Sequence, residues 1–110
     1  MRLLPIGSII TLKSDEEKNK LMIICRFPFY KEDGYFDYAA CVYPYGMIQD
    51  DFYYINNEDI DNVVFKGYSD EFDKKLIETL SRGLKDQKYH RLSNKPYSSD
   101  TEDLSDLLND

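Results

Sequence analysis

Few residues in this 110-residue chain could carry chemistry. Its single histidine, His90, stands among Lys88 and Arg91, which suits a solvated surface group better than a general base. Cys25 and Cys41 both fall inside apolar runs and read as reduced core thiols, since free cysteine is usually buried. A disulfide would require an oxidising compartment, and the sequence carries no sign of one. There is no Cys-x-x-Cys and no His-x-x-x-His, so a zinc site lacks its usual ligands. The five glycines (Gly7, Gly34, Gly46, Gly67 and Gly83) are isolated, which excludes a glycine-rich phosphate loop. The acids are more numerous, 21 in all. Set on a calcium-loop pattern, Asn57, Asp59 and Asp61 fall at ligand positions one, three and five. The sixth position, normally glycine, is Asn62, and the twelfth, normally glutamate, is Tyr68. The pattern fails, and helix capping and solvated turns explain these acids better. A metal-dependent hydrolase using Asp50, Asp51 and Asp59 is the weakest of the functional alternatives, because nothing in the spacing selects one carboxylate pair.

Charge and hydropathy narrow the class further. The formal net charge is −7. Affinity for phosphate backbones rests on clustered Lys and Arg, so this balance argues against nucleic acid and against an anionic membrane surface. Residues 94–110 hold five acids against one base, so −4 of the charge belongs to the tail. The opening Met1-Arg2-Leu3-Leu4-Pro5-Ile6-Gly7 is too short and too broken for a signal peptide. No stretch approaches the roughly 18 apolar residues of a membrane span. These features predict a cytoplasmic protein.

The elements that must position any functional residue follow from period and punctuation. Strands are predicted at Ser8–Lys13, Lys20–Phe27, Tyr35–Tyr43, Phe52–Ile55 and Asn62–Lys66. The second is apolar on both alternating sets, as in a strand covered on both faces. Phe29-Tyr30 resumes pairing after Pro28, and Asp33-Gly34 is a hairpin signal. Asn57 is expected to cap one helical turn, Glu58–Asp61. A helix follows from about Asp70 to Lys88 with Ser69 as N-cap, and Gly83 is expected to bend or shorten it. Its apolar positions, Phe72, Leu76, Ile77, Leu80 and Leu84, form one stripe at helical period. The predicted fold is α+β. A small, strongly bent antiparallel sheet or open barrel of about five strands is packed by one C-terminal helix whose stripe lies on the open face. The domain spans residues 1–92. Residues 93–110 form an acidic tail, frayed or carrying a short amphipathic helix around Leu104, Leu107 and Leu108.

Aromatic residues are the surplus. The chain has ten Tyr, six Phe and no Trp, more than one face of a small sheet buries. Phe29, Tyr30, Tyr43, Tyr45, Phe52, Tyr53 and Tyr54 are the candidates for a partner-binding surface, beside an exposed strand edge, since Tyr and Phe are enriched where proteins meet.

Four ordered blocks resemble a bacterial family known as domain of unknown function 4176. They are Leu3-Leu4-Pro5-Ile6-Gly7-Ser8-Ile9-Ile10-x-Leu12-Lys13, Lys20-Leu21-Met22-Ile23-Ile24-x-Arg26, Phe36-Asp37-Tyr38-x-Ala40-x-x-Tyr43-Pro44-x-Gly46, and Asp59-Ile60-Asp61-x-Val63-Val64-Phe65-x-Gly67-Tyr68. Together they span residues 3–68. The resemblance implies a gene in a Gram-positive type VII (Esx) secretion locus, beside a toxin with an N-terminal LXG domain. It implies a cytoplasmic, non-enzymatic chaperone or targeting adaptor that binds that helical LXG domain, together with small helical secretion partners. It implies no catalytic residue, cofactor or metal. An immunity protein, binding the toxin's C-terminal toxic domain, is the main alternative.

Overall fold

A computed structural model describes residues 3–93. The expected amphipathic tail therefore lies outside the described residues. Among these residues seven strands and one α-helix are formed: β1 (Ile9–Leu12), β2 (Leu21–Arg26), β3 (Phe29–Tyr30), β4 (Gly34–Tyr35), β5 (Tyr38–Val42), β6 (Tyr53–Ile55), β7 (Ile60–Phe65) and α1 (Glu71–Gln87). Five strands make one sheet in the order β6-β5-β2-β1-β7, and every neighbouring pair is antiparallel. The sheet stays open, with β6 and β7 as its edges; it does not close into a barrel. Register shifts interrupt the β1–β7 and β2–β5 ladders, and such bulges bend the strands that carry them.

Alternation builds the core. Ile10 and Leu12, Leu21 and Ile23, Tyr38, Ala40 and Val42, and Tyr53 and Ile55 are spaced two apart on their strands, and they pack together with Leu3. β1 and β5 are buried at every position. β2, read from its apolar run as covered on both faces, instead alternates: Leu21 and Ile23 are fully buried, while Met22 and Ile24 are only half-buried.

The long strand expected at Tyr35–Tyr43 is broken at Phe36-Asp37. Its first residue, Tyr35, joins Gly34 in a separate two-stranded hairpin with Phe29-Tyr30, β3–β4. Asp37 is wholly buried and its carboxylate turns to serve distant partners, which a continuous strand would not allow. The helical turn near residue 58 is a short 3-10 segment, Asn57–Asp59, capped by Asn56 and not Asn57. The Asn56 N–H donates to the Asp59 carboxylate at 2.9 Å.

α1 begins where expected but is capped by Asp70, whose carboxylate accepts from the Asp73 N–H at 3.1 Å. Such a cap contributes about 1 kcal/mol. Ser69 instead donates its hydroxyl to Asp73. The helix runs through Gly83 without ending early, and Lys88 closes it in the left-handed conformation. One larger expectation, that the whole apolar stripe is covered, holds only in part. No residue of α1 is buried, and Phe72 is 85% exposed and Leu76 50%. From the stripe, Ile77 packs partly on the core. The amphipathic pattern is real: Ile77, Leu80 and Leu84 are half-buried, and its bare part is the start, Phe72 and Leu76.

Candidate interaction surfaces

Two polar fastenings hold α1, one at each end. At its start, Arg26 at the end of β2 is buried and reaches Asp73 with both terminal nitrogens, at 2.6 and 3.1 Å. Its Nε donates to the Leu4 carbonyl at 3.0 Å, so one guanidinium joins the N-terminal segment, β2 and the helix. The Arg26 guanidinium holds the Asp73 carboxyl below its usual range. Gly67, between β7 and α1, lies hard against this junction. A Cβ there would collide with the Ile6 carbonyl oxygen.

Past its end, the chain returns to the sheet as a strap, residues 89–92. The Tyr35 N–H donates to the His90 carbonyl at 2.8 Å, and the Leu92 N–H to the Tyr35 carbonyl at 2.7 Å, a parallel bridge. Arg91 fills the gap between β4 and β5. Its Nε and Nη2 donate to the two Asp37 oxygens at 3.0 and 2.7 Å, and Nη2 also reaches Glu58 at 2.7 Å. Asn56 ties both sides: its side-chain oxygen accepts from the Asp37 N–H, and its amide nitrogen donates to the Leu92 carbonyl at 2.8 Å. Its hydrogen bonds to Asp37 and Glu58 push the Arg91 pKa further up, and Arg91 holds Glu58 below the ordinary carboxylate range. Gly34 makes the strap possible, because a Cβ would strike the His90 carbonyl oxygen. A sequence reading that places His90 and Arg91 on the surface misses this network; its signal, a buried acid between two aromatics at Phe36-Asp37-Tyr38, has meaning only once its partner is known.

The seven aromatic candidates divide into three groups. Tyr30, Phe52 and Tyr54 come together, with Tyr54 central: ring centroids lie 5.2 Å from Tyr30, 5.3 Å from Phe52 and 5.4 Å from buried Phe36. Phe29 belongs to a second cluster, edge-on to Tyr89 at 4.8 Å and stacked on Tyr35. Tyr43 and Tyr45 stand exposed on the loop between β5 and β6, Tyr45 at 71%. Tyr53 is not a surface residue. It is 3% exposed and packs in the core, because alternation along β6 sends it inward and Tyr54 to the other face.

Exposed apolar residues extend beyond that set. Met47 and Ile48 continue the bare loop from Tyr43. Val63, Val64 and Phe65 on edge strand β7, then Tyr68, Phe72 and Leu76, are all exposed. Exposed apolar residues in this number make these segments candidates for a contact surface. The stripe of α1 is expected from sequence to cover the sheet, because a bare helix and a covered one share the same period.

The acidic candidates do not assemble a centre. Asp59 spends an oxygen on the Asn56 N–H, and Asp50 and Asp51 lie exposed on the β5–β6 loop. Among the described residues no three His, Cys, Asp or Glu side chains group closely enough to hold a metal ion. Cys25 and Cys41 are free thiols, the first half-buried and the second buried. Burial pushes both thiols up, away from the reactive thiolate. No described helix is long and apolar enough to cross a membrane.

No curated protein and no solved structure gives a significant match to this chain. A family described as "Domain of unknown function (DUF4176)" matches residues 3–76, from the N-terminal segment through the sheet to the first turns of α1. That span contains all four sequence blocks, the whole five-stranded sheet and the residues that receive the strap, and on it the chain belongs to the DUF4176 family.

Proposed function

We propose that this protein is a cytoplasmic adaptor that binds the helical LXG domain of a type VII secretion toxin and assists its export. The observation that carries a protein-binding role is the bare stripe at the start of α1 beside an open sheet edge. Phe72 and Leu76 are one helical turn apart and exposed, next in the chain to Tyr68 and to the exposed Val63-Val64-Phe65 of β7. An amphipathic helix with its apolar side uncovered is suited to pack against another helix, ridges into grooves. Family membership supports the toxin partner, through the secretion loci that the family resemblance implies.

Docking at this surface leaves the core intact, because the residues offered contribute little to it. Burying each large side chain on a partner supplies about 1.5–3 kcal/mol before ordering costs. The loop from Tyr43 to Ile48 offers a second contact beside edge strand β6.

Co-expression of the full chain with each half of the neighbouring toxin tests this. The LXG half should co-purify and the C-terminal toxic half should not. Phe72→Asp should weaken recovery at least tenfold with an unchanged melting temperature. Capture of the toxic half alone would establish the immunity reading instead, and capture of neither would defeat both.

A further inference from the structure

The strap occupies a built site, and we infer that this site is a groove for an extended, arginine-bearing peptide segment of a partner protein, closed in this structure by the chain's own residues 89–92. The inference does not depend on the toxin reading and concerns a different surface.

The site has the parts of a peptide-recognition groove. Tyr35 offers its N–H and carbonyl as one rung of a strand ladder, both used by the strap. Gly34 leaves room for the incoming backbone. Asp37, wholly buried, presents two oxygens to a guanidinium at 3.0 and 2.7 Å, and the Asn57 N–H fixes the carboxylate from behind at 2.9 Å. Asn56 holds the next carbonyl along the occupant at 2.8 Å. The ring of Phe29 receives the aromatic residue two before the arginine, here Tyr89. Backbone bonds give affinity in such augmentation, and a side-chain slot gives selectivity. The slot selects arginine over lysine, because a planar fork meets both oxygens of one carboxylate.

The occupant is separable from the rest of the fold. It is four residues long and follows a helix with no buried residue. Segments with few buried contacts open without global unfolding. The receiving residues, from Gly34 to Glu58, lie inside the family match, whereas the strap lies beyond its last residue, 76. Once Arg91 leaves, a buried carboxylate is left uncompensated, so the vacated groove strongly favours a replacement cation. The protein's net charge of −7 works in the same direction for a basic segment.

Two measurements on the full chain decide this. In native-state hydrogen exchange, the Tyr35 and Leu92 amides should exchange at least tenfold faster than Ile23, which donates to Ser8 within the sheet. Exchange of all three at one rate shows a strap that opens only with the whole fold, and overturns the proposal. In the second, a labelled peptide Lys-Tyr-His-Arg-Leu-Ser is titrated into wild type and Arg91→Ala. The variant should bind it at least tenfold more tightly, and replacing the peptide's arginine by lysine should lose most of that gain. Equal binding by both proteins, or none by either, also overturns it. The exchange result stands by itself if Arg91→Ala does not fold.

Discussion

Neighbouring residues of one short strand have opposite roles here. Tyr53 faces the core with Tyr38 and Ile55, while Tyr54 joins the outer cluster with Tyr30 and Phe52. Tyr45, eight positions earlier, is exposed on the loop. Tyr53→Asp is therefore expected to cost about 3–5 kcal/mol, from lost packing plus a buried carboxylate, and to unfold the domain at moderate temperature. Tyr45→Asp should stay within about 0.5 kcal/mol of wild type. Urea melts of both variants check the contrast; comparable losses would mean that the loop is part of the core. Composition announces the excess of tyrosine, and strand alternation sorts Tyr53 from Tyr54 only after the strand's core side is known. That side is fixed by β5 and the rest of the sheet, so the sorting was not available from residues 52–55 alone. The buried Asp37–Arg91 pair was still less visible. Its members are 54 positions apart, and Arg91 in isolation resembles any surface cation near a helix end.

At the scale of elements, periodicity located β1, β2, β5, β6, β7 and α1 within a few residues, because apolar alternation and helical spacing are local properties. What the helix stripe would cover was not local. The same spacing serves a helix that buries its stripe and one that leaves it bare, and in α1 Phe72 and Leu76 are exposed while Ile77, Leu80 and Leu84 are half-buried. Ion pairs contribute to its attachment at both ends, which makes it sensitive to acid. Asp73 and Glu58 both titrate below their ordinary values, held there by Arg26 and Arg91. A carboxyl lowered on folding stabilises the native state fully above its unfolded pKa, and that support is lost as pH falls through the folded value. Ser69 and Asp70 also face Asp73, while Asp37 and Lys13 neighbour Glu58; of these, Lys13 works in the same direction as Arg91. Far-UV circular dichroism and amide exchange should therefore show α1 and the strap loosening below about pH 4, the ordinary carboxylate range. Glu58→Gln should remove part of that pH dependence. A helix signal unchanged down to pH 2.5 would show that these pairs do not hold the element.

On the scale of the whole molecule, acidity and bare apolar surface oppose one another. The net charge of −7 keeps copies apart, while Tyr45, Met47, Val64, Phe65 and Phe72 favour sticking. Light scattering should find association rising as pH approaches the isoelectric value near 4.6, where the repulsion vanishes. Phe72→Asp should reduce that association; equal scattering by variant and wild type would place the adhesive region elsewhere. The class of the fold, an antiparallel sheet followed by one helix, was readable throughout, since it depends on the order of elements. The bare start of the helix was not, because it depends on contacts the chain does not make with itself. The guanidinium of Arg26 has a mechanical consequence. It clamps α1 to the sheet at one extremity while the strap clamps the other, and between them Ile77 rests on the core. A force along that rod would therefore load two small polar clasps before it reached the interior of the sheet.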